Sequence, residues 1–518
     1  MVNCELTGAV YGIGGYLVTV EADISPGLPC MDMVGMLSSE VKEAAARVKV
    51  AIKNLGYTLP AQRYTISLSP ADIRKQGAGF DLALAVCLLK CIGVIDYDPD
   101  DEMAELKERM FLGEVGLEGD VRGTKGVLPI VIAAKEAGIK ECILPYENMK
   151  EAACVKGIKI TGVRSLAEVV CYLNEGCLFA HDDEDDKSDD TPGLSDTGLS
   201  KRHLCHDFSE IVGQSAAKRA ALIAASGFHN LLLSGPPGTG KSMIASALCG
   251  ILPPMSESEM LDTSKVYSVA GLLSDKEYYV SERPFLSPHH TATAVSLVGG
   301  GNNPKPGIIS LANHGVLFLD EFPEFKRPTL DLLRQPLEEG EITINRKNFS
   351  CRYPCDIMLV AAMNPCPCGF YPDRQRCRCT DTEIERYRKH ISGPLFDRID
   401  ICVSVSNNKY SEMKKNAGNE TSEALREKVL KAREIQIKRN GKDMFNGRIP
   451  AKDIERLCVM TNDASKICEK SYEEKQMSMR GLHRMLRVAR TIADIEGSEV
   501  IDVPHMMEAI GYRGILGR

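Results

Sequence analysis

Apolar residues recur along this chain with two different periods. Over the first 178 residues, strand-like runs at Tyr16–Ile24, Tyr64–Leu68 and Cys142–Leu144 alternate with stretches of helical spacing. In "SSEVKEAAARVKVAIKNLG" the apolar positions fall three and four apart, Ser39 stands where an N-cap belongs, and Gly56 marks the stop. This alternation predicts a mixed α/β unit. Further on, "LLLS" (231–234), "GVLFLDE" (315–321) and "IMLVAAMNP" (357–365) read as short apolar strands. Between the last two, "LEEGEITINRKNFSCRYPCDIML" has period-2 alternation in "EITINR" and predicts two strands around a turn. Near the C-terminus Leu482, Met485, Ala489 and Ile492 line one face of a predicted helix. Arg480, Arg484 and Arg487, spaced i, i+4, i+7, line another, which faces either a ligand or solvent.

Composition narrows the setting. At 518 residues the chain is too long for one ordinary core, so two to four domains are expected. No apolar run reaches the roughly 18 residues of a membrane span, and the N-terminus lacks a basic-then-apolar signal segment. Nineteen cysteines without an export signal point to a reducing cytoplasm. The net charge of −8 is local: residues 181–200 hold eight acids against one lysine. That stretch reads as a solvated linker. The last 111 residues carry more Lys and Arg than Asp and Glu, so overall acidity does not exclude a nucleic-acid partner.

The chemistry lies where the apolar strands end. After "LLLS" comes Gly235-Pro236-Pro237-Gly238-Thr239-Gly240-Lys241-Ser242, then a helix-compatible stretch, the context that makes G-x-x-x-x-G-K-S a phosphate loop. The glycines let backbone N–H groups face phosphate oxygens, and the helix start adds its dipole. Lys241 is expected on the β- and γ-phosphates of ATP and Ser242 on Mg²⁺. Asp320 and Glu321 close the second strand as a Walker B pair, Asp320 for the Mg²⁺ shell and Glu321 for the attacking water. Asn364 closes the third, a placement that resembles the sensor-1 asparagine of AAA+ proteins, which orients that water, and that an isolated turn-forming asparagine would also take.

Longer strings carry a family resemblance. "SPADIRKQGAGFDLALAVCLL" and "FLGEVGLEGDVRGTKGVLPIVIAAKEAG" resemble the Lon-protease-like fold, of the ribosomal S5 domain 2-like α+β kind. With its serine–lysine dyad laid on this chain, Gly79 takes the nucleophile position and Leu128 the base position, so the domain reads as non-proteolytic. "RPFLSPHHTATAVSLVGGGNNPKPGIISLANHGVLFLDEFPEF", "SGPLFDRIDICV" and "MRGLHRMLRVARTIADIEG" resemble the ComM/YifB group of magnesium-chelatase-like AAA+ ATPases, over nearly the whole chain. The resemblance implies an α/β architecture of four segments: a Lon-like domain at 1–178, an acidic linker at 179–205, an AAA+ P-loop core at 206–407 and a helical lid at 408–518. It implies a cytoplasmic homo-oligomer, a hexameric ring, acting on single-stranded and branched DNA alongside recombination proteins. The expected activity is an ATP-driven helicase promoting branch migration in recombination and natural transformation. A chelatase-type remodelling subunit is the alternative, and a Lon-like protease stands behind both.

The same resemblance makes Arg398 of "FDRID" the finger that completes a neighbour's site; the competing reading pairs it with Asp397 or Asp400 in its own chain. It puts Arg480 at the sensor-2 position. It also makes Arg346 and Lys347, with Lys305 of "GGGNNPKPG", the cations of two pore loops. His289 and His290 would point to opposite faces of a strand, which favours structural or interface roles over shared metal ligation.

One cluster remains. "NPCPCGFYPDRQRCRC" holds Cys366, Cys368, Cys377 and Cys379 in a short loop broken by proline and glycine. Four thiolates there suit structural Zn²⁺ first and an iron–sulfur cluster second, with free thiols and a redox switch as alternatives.

Overall fold

The computed structural model describes residues 2–96, 108–178, 206–273, 277–301, 304–346, 349–406, 420–442 and 444–513. The acidic stretch at 179–205 and the hairpin residue Lys347 lie outside them. The chain forms two compact units. One takes residues 1–198 and 261–280, the other 199–260 and 281–518. Residues 261–280, expected within the core segment 206–407, belong with the N-terminal unit.

In the first unit a four-stranded sheet joins Asn3–Tyr11, Gly14–Ser25, Arg63–Ser69 and Cys30–Val34, in that order. The strand runs expected at Tyr16–Ile24, Tyr64–Leu68 and Cys142–Leu144 each lie inside an observed strand. Helix Ser39–Asn54 is capped by Ser38, whose hydroxyl accepts from the Val41 amide, so the cap lies one residue before the expected Ser39. Gly56, with φ +88°, follows its end as a left-handed stop. The helix buries Val41, Ala44, Val48 and Ile52. Leu128 is fully buried, and a Cβ at Gly79 would stand 3.2 Å from Leu112. Neither position offers a nucleophile or a base.

The second unit is built on a fully parallel five-stranded sheet, in the order Phe285–Leu286, Val316–Leu319, Met358–Met363, Leu231–Ser234 and Ile401–Ser404. Every residue of Val316–Leu319 and Met358–Met363 is buried, as expected of strands covered on both faces. The strand ending in Asn364 lies between the strand entering the glycine loop and the strand ending in Asp320, so all three signals emerge along one sheet edge. Met485, Ala489 and Ile492 of helix Met479–Ile495 share one core with this sheet and with helix Lys241–Ile251.

Candidate functional site

The glycine loop leaves its strand where the Gly235 amide bonds the Met363 carbonyl at 3.1 Å. A Cβ at Gly235 would fall 2.1 Å from the Val405 carbonyl oxygen, so no larger residue fits there. Gly238 and Gly240 take φ of +77° and +84° with open space where a side chain would go. Lys241, the first residue of the following helix, turns back over the loop. Its Nζ donates to the carbonyls of Gly235 (2.7 Å) and Pro236 (2.8 Å) and to Asn364 Oδ1 (3.1 Å). Burial lowers the Lys241 pKa, partly offset by Asp320. Thr239 is held by its hydroxyl bond to the Pro236 carbonyl, 2.9 Å.

Ser242 Oγ donates to Asp320 Oδ2 at 2.8 Å, and the other oxygen of Asp320 accepts the Glu321 amide at 2.9 Å. A hydroxyl and a carboxylate on one small volume form a hard-oxygen donor set, which fits Mg²⁺. Glu321 sits in the left-handed region at φ +50°, a costly conformation for a non-glycine residue. Its carboxylate faces His290, with Nδ1 3.2 Å from Oε2. From the sequence His290 had only a structural or interface role, and this contact was missed. The available signal was its place just past the strand beside Asp320, the strand Phe285–Leu286.

Arg398 lies at the other end of the sheet. The amides of Asp400 and Ile401 bond the Asn230 carbonyl, before the strand that leads to the loop begins. The Arg398 guanidinium is largely buried, donates to the carbonyls of Arg334 (3.1 Å) and Pro394 (2.7 Å), and pairs with Glu338. The pairing with Asp397 or Asp400 weighed from the sequence is not what forms, because Asp400 is already occupied. Its carboxylate accepts from Arg484 Nη1 (2.7 Å) and the Asn230 amide (2.9 Å), with His229 Nδ1 at 3.6 Å. Burial pushes the Asp400 carboxyl up, but Arg484, His229 and that amide outweigh it, and it sits below the ordinary carboxylate range.

Arg480 pairs with the second oxygen of Glu338 at 2.6 Å and keeps 67% of its side chain exposed. One carboxylate therefore joins Arg398 and Arg480. The arginine face of this helix is neither solvated nor open throughout. Arg484 is consumed by Asp400 and the Arg398 carbonyl, and burial lowers the pKa of Arg487.

Of the loop cations, Lys305 is exposed in a two-residue strand opposite Gly300. Glu341–Arg346 and Phe349–Pro354 form the expected antiparallel hairpin, closing at Arg346 opposite Phe349. The Tyr353 hydroxyl bonds the Pro304 carbonyl at 2.9 Å and ties the two loops together. The four cysteine sulfurs at 366, 368, 377 and 379 lie within 4.8 Å of one another, a set that can hold a metal ion.

Residues 207–413 match the family model described as "Magnesium chelatase, subunit ChlI". Residues 20–148 match "Subunit ChlI of Mg-chelatase", and residues 419–513 match "Magnesium chelatase, subunit ChlI C-terminal". The chain is 41% identical over 512 residues to Competence protein ComM of Haemophilus influenzae, covering 98% of this chain and 96% of that one. It is 38% identical over 510 residues to the uncharacterized protein YifB of Escherichia coli, with the same coverage. The Magnesium-chelatase 38 kDa subunit of Cereibacter sphaeroides is 24% identical over 321 residues, 58% of this chain and 88% of its own. With identity of this order from end to end, the chain belongs to the ComM/YifB family of magnesium-chelatase-like proteins.

Proposed function

We propose that the protein is an AAA+ ATPase that works as a hexameric ring and drives branch migration of DNA recombination intermediates. The observation that carries the ATPase reading is the meeting of Lys241, Asn364, Ser242 and Asp320 at the ends of three adjacent parallel strands. In this reading Lys241 exchanges its carbonyl partners for β- and γ-phosphate oxygens of ATP. Ser242 and Asp320 hold Mg²⁺, which when bound screens charge on the phosphates. Glu321, steadied by His290, accepts the proton of the attacking water, and Asn364 orients that water.

The position of Arg398 supports assembly. Four residues of strand separate the Asn230 end from the glycine loop, about 13 Å at the usual rise. An arginine held at that far end is poorly placed for its own nucleotide, and to serve a neighbour it would exchange Glu338 and its two carbonyls for that partner. Arg480, joined to it through Glu338, would act from the same side. The exposed Lys305, with Arg346 and Lys347 of the hairpin, supplies cations for phosphate contacts within a pore.

The DNA reading draws on the relative named for competence and on the coverage of the two kinds of relative. The ComM match spans 98% of this chain, the chelatase subunit 58%. The test is strand displacement from a labelled three-strand or four-way junction with ATP and Mg²⁺. Displacement by the wild type that fails with Lys241→Ala is the expected result. A DNA-insensitive ATPase without displacement would refute the DNA reading and favour a chelatase-type remodelling subunit.

A further inference from the structure

The cysteine loop has a geometry that thiol packing alone does not require. Cys366 Sγ stands 3.4 Å from Cys368 Sγ and 3.7 Å from Cys377 Sγ, and Cys368 and Cys377 are 3.5 Å apart. A tetrahedron with zinc–sulfur arms of about 2.3 Å has edges of about 3.8 Å. The observed separations approach that figure, and the fourth sulfur, Cys379, falls within the same 4.8 Å cluster. Sulfurs this close leave room for one ion at their centre and none for a multi-iron core.

The surroundings fit a centre that carries negative charge. Four thiolates around Zn²⁺ leave two negative charges, and among the described residues no carboxylate belongs to the cluster. Arg388 lies over the Tyr371 ring at 5.3 Å and Arg376 over Phe370 at 5.1 Å, on or beside this loop, while Arg374, over Tyr371 at 5.1 Å, is paired with Asp381. The Tyr371 amide donates to Cys366 Sγ at 3.4 Å. Backbone turns and the Arg374–Asp381 pair shape the loop, but its apolar support is small. Its apolar cluster has only Cys366, Cys377 and Ile384 as buried members among the described residues, so two of the three are the thiols themselves.

The loop also touches the glycine loop. Gly369, between the two cysteine pairs, has φ +84°. A Cβ there would stand 2.7 Å from Pro237 Cδ and 3.9 Å from Asn364 Cγ. Cys366 follows Asn364 by two residues, so the cysteine loop connects the end of one strand to the outer wall of the phosphate loop.

We propose that Cys366, Cys368, Cys377 and Cys379 bind one Zn²⁺ as a structural tetrathiolate centre, and that this centre holds Gly369 against Pro237 to fix the shape of the phosphate loop. The positioning half rests on the nucleotide reading of that loop; the zinc half does not.

The test uses the full chain purified without a histidine tag. Elemental analysis should find about one zinc per chain, lost in Cys377→Ser/Cys379→Ser and kept in Cys402→Ser, whose thiol lies outside the cluster. Protein reloaded with cobalt(II) should show the visible absorption of a tetrahedral thiolate site. Removing zinc with a thiol-displacing reagent and chelator should weaken binding of fluorescent ADP about tenfold, the equivalent of about 1.4 kcal/mol. Far-UV circular dichroism should hold, and added zinc should restore affinity. Gly369→Ala should keep its zinc and still bind ADP more weakly, which a purely structural metal would not produce. Zinc near zero in well-folded protein, or iron as the stoichiometric metal, would overturn the zinc centre. Equal ADP affinity with and without zinc would overturn the positioning role. Wild-type protein that holds zinc but binds no ADP would overturn the positioning role and the ATPase reading, and leave the zinc centre supported.

Discussion

Asp400→Asn offers a strong test of how the second unit is held together. The change keeps shape but removes one charge and one of the two acceptor oxygens from a site where the side chain is 4% exposed. Arg484, 13% exposed, would then keep its guanidinium without its Asp400 counter-ion, beside Arg487. Breaking a buried pair in this way costs about 3–5 kcal/mol. At roughly 2–3 °C per kcal/mol the unfolding midpoint should fall by about 6–15 °C. The chain has no Trp, so calorimetry or far-UV circular dichroism is the suitable assay. Asp400→Leu with Arg484→Met should recover part of the loss, because no charge is then left unpaired, while the Asn230 amide still loses its acceptor. The sign with pH follows from the depressed carboxyl. Its contribution is complete above about pH 4, the unfolded value, and declines as pH falls toward the lower folded value. A second readout connects to function. Arg484 also bonds the Arg398 carbonyl, so the variant should lose ATPase at temperatures where it remains folded. A fall of less than about 1 kcal/mol, or a double variant no better than Asp400→Asn, would refute the reasoning.

Three other outcomes are expected. Glu321→Gln should bind ATP normally and lose roughly 10²–10⁴-fold in kcat, checked by pairing a nucleotide-binding titration with phosphate release. His290→Ala should lower kcat by up to roughly 100-fold with KM little changed, since it frees Glu321 without touching the phosphate loop. His229 is fully buried, and burial lowers its pKa. Stability should therefore fall as pH drops below about 6.5, by up to about 1.4 kcal/mol per unit, until the folded value is reached. Denaturant titrations across pH 5–8 should show that slope, and His229→Gln should flatten it.

Much of the candidate site could be read from the chain because parallel strands buried on both faces are written as unbroken apolar runs. The residue just past a run is the one at the sheet edge, which is why Asp320 and Asn364 stood out, while Lys241 was marked by the glycine spacing of the loop after its run. The arginine helix was less legible. Spacing shows that Arg480, Arg484 and Arg487 share a face, but what that face meets depends on Asp400, 84 residues before Arg484. Glu338 carried no signal at all. It is an ordinary acid in the four-residue helix Pro336–Glu339, and only the fold makes it common to two arginines. Nor did composition mark residues 261–280 as belonging to the first unit, since nothing in their polarity breaks from their neighbours.

That last arrangement bears on how the protein is made. The first unit cannot be finished from the first stretch of chain alone, because Ser268 must reach the Glu151 carboxylate and the Gly126 amide must bond the Ser268 carbonyl. During synthesis the ribosome has to release residues 199–260, the glycine loop and its helix among them, before residues 261–280 arrive. The N-terminal unit thus waits on a portion of the second unit, and a fragment ending at the acidic stretch would lack the segment that supplies Ser268. Chain order alone couples the maturation of the two units, so a nascent chain stalled between them would expose both to proteases and chaperones.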